Sequence, residues 1–167
     1  TLDDKERKLT SNDLMICDGN GKPMCIAGIF GGSTSGVKKT TTNIFLESAV
    51  FNAITIRKSS VHHGLRTDAA TRFEKGVDIS NAINVLKRAA QLIQQVAGGT
   101  FSSEVIDVYP DPKPKTEIAI KNHYLKKLSG KNYHADAIKR ILSSLGFEIL
   151  KEGLDELRVA VPYSKPD

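Results

Sequence analysis

Three prolines at alternate positions, Pro110, Pro112 and Pro114, divide this chain of 167 residues into two unlike parts. Proline has no backbone N–H and a fixed φ, so this segment cannot lie in a helix interior or a central strand. We therefore predict a first domain at residues 1–109, a proline-rich linker at 110–116 and a small domain at 117–167. A chain of this length has room for one ordinary domain and a small second one.

The first part is rich in short strand-like runs, at residues 14–17, 24–30, 44–50 and 105–108. Turn residues at 18–21 predict a hairpin between the first two runs. A short helical turn is expected from Asp68 to Lys75. A longer helix should begin near Ser80 and stop at Gly98, because apolar residues recur there three and four positions apart. The predicted buried stripe of that helix is Ala82, Leu86, Ala89, Ile93 and Val96.

The second part has a different pattern. It predicts a strand at 117–120, helices at about 122–128 and 135–145, and a ribbon formed by 147–150 and 157–161. Two helices joined by a tight turn and followed by a hairpin are typical of a winged-helix-like module. The whole chain is thus predicted to be α+β, with a mixed β-sheet and a packed helix followed by a small helix–helix–hairpin domain.

Charge and apolar content exclude some classes of protein. The net charge is +5, and residues 113–167 carry 11 Lys and Arg against 7 Asp and Glu. A basic second part is compatible with a nucleic-acid partner, but it is also common on solvated faces. No apolar run approaches the ~18 residues of a membrane span, so no membrane partner is expected.

Cys17 and Cys25 fit no metal-ligand spacing and are predicted to be small core residues in a reducing cytoplasm.

Glu47 interrupts an apolar run. In an extended chain it shares one face with Phe45 and Ala49, and the opposite face is also largely apolar, which predicts a strand covered on both sides. A buried carboxylate needs a donor or faces a cavity. Two interpretations stay open: an acid paired with Arg66, Arg72 or backbone amides, and an acid that faces a ligand.

Two other motifs are weaker. The glycine-dense loop at residues 28–36 has P-loop spacing, but Val37 stands where the lysine is needed, so a tight turn or a close backbone approach to a ligand explains the glycines better. His62 and His63 have no carboxylate at a zinc-site spacing and are predicted to be ordinary surface or hydrogen-bonding histidines. No metal site is expected.

Three blocks of sequence resemble one known family in their order and spacing. They are Gly28-Ile29-Phe30-Gly31-Gly32, Leu46-Glu47-Ser48-Ala49 and Arg72-Phe73-Glu74-Lys75-Gly76-Val77-Asp78. The resemblance is to the tRNA-editing domain of the bacterial phenylalanyl-tRNA synthetase beta subunit, and it covers nearly the whole chain. It implies that Glu47 recognises the tyrosine hydroxyl, that Thr67 and Ala69 line the editing pocket, and that Ala27 and Gly28 form the backbone wall beside it.

The resemblance also implies a function. The chain would contribute to hydrolysis of tyrosyl-tRNA made in error for phenylalanine, by an attacking water and without a protein nucleophile. The implied partners are tRNA(Phe), the rest of the beta chain and the alpha subunit of a cytoplasmic alpha2 beta2 enzyme. ATP and magnesium would serve the whole enzyme, with no cofactor in this fragment. Because the family has a further pocket histidine upstream, the fragment alone is expected to be inactive.

Two alternatives from other classes remain. A nucleic-acid-binding module should cluster its cations on one helix face, and a purely structural module should have no pocket beside Glu47. The candidate cations are Lys121, Lys126, Lys127, Lys139 and Arg140.

Overall fold

The computed structural model describes residues 1–165 and divides them into two compact units, Thr1–Glu104 and Val105–Lys165. Each unit combines helices with a small sheet, which confirms the α+β class. The division lies just ahead of the three prolines, so the segment predicted as a linker, residues 110–116, falls inside the second unit.

The first unit begins with an antiparallel sheet in the order β1-β2-β3. Its strands are β1 (Met15–Cys17), β2 (Pro23–Ile26) and β3 (Phe30–Gly31). The predicted hairpin is confirmed: the Asp18 carboxylate accepts hydrogen bonds from the Asn20 and Lys22 backbone N–H groups, each at 2.9 Å. Where the sequence predicts a mixed sheet, the strand pairs of the described residues are antiparallel.

Two helices pack beside this sheet. Helix α1 (Ala53–His63) is capped by Asn52, whose side chain accepts hydrogen bonds from the Ile54 and Thr55 backbone N–H groups. The helix ends at Gly64, whose φ of 64° is left-handed. Helix α2 (Asp68–Phe73) is capped by Thr67 and confirms the expected helical turn. The core between sheet and helices consists of Ile26, Ile29, Ile56, Leu65 and Ala70.

The long helix of the first unit is α3 (Ala82–Ala97), preceded by a 3-10 turn at Ile79–Asn81. The helix predicted to begin near Ser80 with that residue as its cap starts at Ala82 instead. Ser80 lies inside the 3-10 turn, and Asp78 caps this turn by accepting a hydrogen bond from the Ser80 backbone N–H. The predicted stripe is only half-buried: Ala82, Leu86, Ala89 and Ile93 are partly covered, none is fully buried, and Val96 is 86% exposed. The amphipathic pattern forms the helix, but the described residues cover its apolar face only in part.

Two predicted strands, at residues 44–50 and 105–108, are not strands in this structure. The side chain of Phe45 is 93% exposed and that of Ile44 is 54% exposed, so the first of them is not covered on both sides. A strand needs a neighbour to pair its backbone N–H and C=O groups. Among residues 1–165 neither segment has such a neighbour.

The second unit follows the predicted order of elements. It contains β4 (Glu117–Lys121), α4 (Asn122–Ser129), α5 (Ala135–Ser144), β5 (Glu148–Glu152) and β6 (Glu156–Ala160). The sheet is antiparallel with β6 in the centre, and Ile138, Leu157 and Val159 form its core. The helix–helix–hairpin order is confirmed, and the winged-helix-like description stays a prediction. Within the described range, no helix has both the length and the apolarity to cross a bilayer.

Candidate functional site

An open cavity of about 660 Å³ lies within the first unit. This volume is within the range of about 300–1,000 Å³ that is usual for small-molecule sites. The β2–β3 connection, residues 47–51, helix α2 and the start of α3 all contribute to its walls. The walls are largely apolar, with side chains that include Ile26, Ile29, Phe30, Phe51, Phe73 and Val77.

Gly28 lies against two aromatic rings of this cavity. Its φ of 65° is left-handed, and a Cβ added there would stand 2.8 Å from Phe51, 3.1 Å from Phe73 and 3.1 Å from Ile56. The two phenyl rings are themselves in contact, with centroids 5.0 Å apart and planes tilted by 58°. The backbone therefore approaches the aromatic wall as closely as glycine allows, and the predicted approach to a ligand stays a prediction.

Three of the five predicted site residues, Gly28, Glu47 and Ala69, line the cavity together. Ala27 and Thr67 are not among the lining residues. Ala27 is fully buried, and its backbone N–H donates to the Leu14 carbonyl at 2.9 Å. These contacts place Ala27 behind the wall rather than on it.

Thr67 joins helix α2 to the wall of the cavity. Its hydroxyl donates to the Ile29 carbonyl at 2.6 Å and accepts from the Ala70 backbone N–H at 3.1 Å. One side chain thus caps α2 and fixes it to the β2–β3 connection, which sets the position of Ala69. Thr67 supports the cavity without lining it.

Glu47 is exposed, whereas the sequence predicts a carboxylate removed from water. The reason is that its segment is not a covered strand. Within residues 1–165 the carboxylate forms no ion pair and accepts no hydrogen bond, so the predicted pairing with Arg66 or Arg72 is not present. The next residue holds the segment in place, because the Ser48 hydroxyl donates to the Ala82 carbonyl at 2.9 Å. Glu47 is therefore an acid on the cavity wall whose carboxylate has no hydrogen-bond or ion-pair partner among the described residues.

Cys25 also lines the cavity. Burial raises the pKa of the Cys25 thiol, and the negative charge of Glu47 raises it further. A thiol with a raised pKa stays protonated near neutral pH and is a poor nucleophile. Cys17 is exposed, so its prediction as a core residue is wrong; it ends β1 directly before the hairpin turn.

Arg72 and Phe73 stand in one of the three blocks that carry the resemblance, but they are not among the predicted site residues. Both line the cavity with Ala69. The signal was present, because positions 69, 72 and 73 have the i, i+3, i+4 spacing that places side chains on one face of a helix. Asp78 lines the cavity too, but its carboxylate already accepts from the Ser80 N–H at 2.9 Å and the Ser80 hydroxyl at 2.6 Å.

His62 and His63 end helix α1 and stack edge to face, with ring centroids 4.8 Å apart. His63 Nε2 lies 3.1 Å from the buried carboxylate of Asp13, which also accepts from the Ser59 hydroxyl. A nucleophilic triad needs the histidine between serine and acid, but here the acid lies between them. In the described part of the chain no group of three or more His, Cys, Asp or Glu could hold a metal ion.

The cations of the second unit do not share one helix. Lys121 ends β4, Lys126 and Lys127 lie on α4, and Lys139 and Arg140 lie on α5. The Lys139 ammonium is also neutralised, because it lies 3.0 Å from Asp136 and 3.1 Å from Glu152. This arrangement differs from the single basic helix face that a nucleic-acid module should present.

Comparison with known proteins adds a family to this geometry. A model of the B3/4 domain family matches residues 1–98. Over its whole length the chain is 43% identical to the phenylalanine–tRNA ligase beta subunit of Bacteroides thetaiotaomicron and 44% identical to that of Bacteroides fragilis. It is 44% identical over 170 aligned residues to the beta subunit of Syntrophus aciditrophicus. The chain spans about a fifth of the length of these relatives, between 20% and 21%.

Proposed function

Because this chain belongs to the B3/4 domain family, we propose that its first unit is part of a hydrolytic editing site for tyrosyl-tRNA made in error for phenylalanine. The whole-length similarity to phenylalanine–tRNA ligase beta subunits supports this proposal. The observation that carries it is the uncommitted Glu47 carboxylate on the wall of an aromatic cavity of about 660 Å³.

The chemistry of discrimination explains why such a site needs an acid. An apolar pocket built for phenylalanine excludes tyrosine by only ~10²-fold, since an added hydroxyl is poorly rejected there. A second site can select for the hydroxyl by accepting its hydrogen bond. A hydrogen bond to a charged group contributes about 1.5–3 kcal/mol, which corresponds to roughly 10- to 150-fold in selectivity. Larger factors require a desolvated acid, and Glu47 is exposed in this structure.

The hydrolysis itself needs no protein nucleophile. The water oxygen bonds to the ester carbonyl carbon, the bond to the ribose oxygen breaks, and a water proton ends on that oxygen. An aminoacyl ester is already reactive, so holding it beside a water supplies most of what is required. The protonated Cys25 thiol agrees with a water attack.

The proposal extends to the assembly in which the site works. We take the partners to be tRNA(Phe), the remainder of the beta chain and an alpha subunit in an alpha2 beta2 enzyme of the cytoplasm. ATP and magnesium would serve the amino-acid activation site of that enzyme rather than this cavity. On this proposal the 167-residue chain alone is inactive.

Substitution of Glu47 by alanine in the complete beta subunit, assembled with its alpha partner, tests the assignment. We expect the preference for tyrosyl over phenylalanyl ester to fall by about 10- to 100-fold, because the hydroxyl loses its acceptor. Folding should be intact, since Glu47 is exposed and holds no other side chain among the described residues. The measurement is kcat/KM for deacylation of tyrosyl-tRNA and phenylalanyl-tRNA.

The matched control is Glu104→Ala, which removes an exposed acid of the same unit that does not line the cavity. Its selectivity should equal that of the unmodified enzyme. If Glu47→Ala also keeps full selectivity, Glu47 is not the hydroxyl acceptor and the assignment is wrong.

A further inference from the structure

Arg72 is the cation on the wall of the cavity. Helix α2 presents it on the same face as Ala69 and Phe73, and the side chain is exposed. Among residues 1–165 its guanidinium forms no ion pair and donates no hydrogen bond to a side chain or backbone. Thus Arg72 lies on the wall of a largely apolar cavity with all its donors free among the described residues.

The acids of the cavity do not neutralise this charge. Asp78 is occupied by Ser80, and Glu47 lies more than ion-pair distance away. The cavity therefore holds one free acid and one free base at separate points of its wall. Such a wall fits a ligand that carries a hydroxyl donor at one end and an anion at the other.

A guanidinium is always protonated, and its forked donors match the oxygens of a phosphate in a two-point contact. The substrate of the proposed editing reaction brings only one kind of anion to the site. Its amino-acid carboxyl group is esterified and uncharged, whereas the nucleotide that carries the ester has a phosphate. The phenol, the ester and the phosphate lie in that order along the molecule.

We propose that Arg72 binds the phosphate of the nucleotide that carries the aminoacyl ester and so positions the ester within the cavity. This inference rests on the proposed editing function and adds a second contact to it. Glu47 selects the side chain, Arg72 holds the nucleotide, and the ester lies between them. Arg72 is a positioning residue and takes no part in bond making.

The test uses the assembled synthetase with the complete beta subunit and two substrates. Tyrosyl-tRNA carries the phosphate, and 2′(3′)-O-tyrosyladenosine has the same ester without any phosphate. For Arg72→Gln we expect the KM for tyrosyl-tRNA to rise about ten-fold, since an exposed charge-assisted contact is lost, with little change in kcat. The KM for tyrosyladenosine should not change.

Two further variants complete the design. Arg72→Lys keeps a point charge without the fork, so its KM for tyrosyl-tRNA should lie between those of the glutamine variant and the unmodified enzyme. Arg66→Gln is the matched control, because Arg66 is an exposed arginine close to α2 that does not line the cavity. It should leave both KM values unchanged.

Several results would overturn the inference while leaving the editing function in place. In one, Arg72→Gln changes the KM of both substrates equally or of neither. In another, it weakens inhibition by free tyrosine without affecting tyrosyl-tRNA, which would assign Arg72 to the carboxylate of the product. Failure of the editing proposal is seen separately, because the unmodified enzyme would then not deacylate tyrosyl-tRNA.

Discussion

Replacement of Asp13 by alanine is expected to lower the free energy of unfolding of the first unit by about 3 kcal/mol. The Asp13 side chain is only 1% exposed, and His63, 5% exposed, lies beside it. Its carboxylate accepts from the Ser59 hydroxyl and from the Thr10 backbone N–H at 2.7 Å. Alanine would leave the buried Ser59 hydroxyl without an acceptor and the buried His63 imidazole without its carboxylate neighbour, and each buried orphan costs about 1–3 kcal/mol.

Hydrogen exchange measured on peptides of α1 and of the second unit gives the stability of each unit separately. Only the first unit should lose protection. Asp3→Ala is the matched control, since Asp3 also has a nitrogen-bearing partner, Arg7, but lies on the surface, where an ion pair contributes little. Equal losses for both variants would contradict the role given to the buried cluster.

The same acid gives the first unit a pH dependence. Burial raises the pKa of Asp13, but hydrogen bonds from Ser59 and Thr10, with the His63 imidazole close by, outweigh it and hold the pKa well below its usual range. A group whose pKa is lower in the folded state stabilises it above the unfolded pKa of about 4 and loses that contribution as the pH falls. The unmodified unit should therefore lose stability below about pH 4, and Asp13→Ala should lose less over the same interval.

Gly28→Ala is expected to destabilise the first unit by about 3 kcal/mol and to distort the cavity. A left-handed φ costs a residue with a Cβ about 1–2 kcal/mol, and forcing a methyl group into a packed site adds about 1–3 kcal/mol. At Gly28 the φ is 65° and the new Cβ would stand 2.8 Å from Phe51. Since Phe51 and Phe73 line the cavity, they must move to admit it.

Gly64→Ala separates the two causes. Gly64 has nearly the same φ, 64°, but nothing lies within 4 Å of the Cβ that alanine would add. Gly64→Ala should therefore lower the free energy of unfolding only by the cost of the left-handed backbone, about 1–2 kcal/mol. Hydrogen exchange of α1 measures both variants, and deacylation by the complete enzyme shows whether only Gly28→Ala impairs the site. Equal destabilisation by the two substitutions would show that Gly28 is not closely packed.

Local patterns were enough to predict much of the fold. The hairpin turn at residues 18–21 and the five elements of the second unit follow from local sequence patterns, although β4 pairs with the distant strand β6. Helix α1 was not predicted because its apolar residues Ile54, Ile56 and Val61 do not form one stripe, and Ile54 and Val61 are exposed. Its boundaries were nevertheless marked by Asn52 and Gly64.

What the sequence pattern could not supply is the partner of each apolar face. The run around Glu47 and the stripe of α3 both have the composition of covered elements, yet Phe45 and Val96 are largely exposed. Amphipathicity shows which side of an element prefers burial, not what covers it. For the same reason the environment predicted for Glu47 is wrong, although Glu47, Gly28 and Ala69 line one cavity.

The most direct test of the editing site is a crystal structure of the complete synthetase with a non-hydrolysable amide analogue of tyrosyladenosine. The proposal predicts the tyrosine ring in the cavity beside Gly28, with its phenol oxygen about 2.5–3.0 Å from a Glu47 carboxylate oxygen. A phenol bound elsewhere, or a Glu47 carboxylate paired with Arg72 while the analogue is bound, would contradict it.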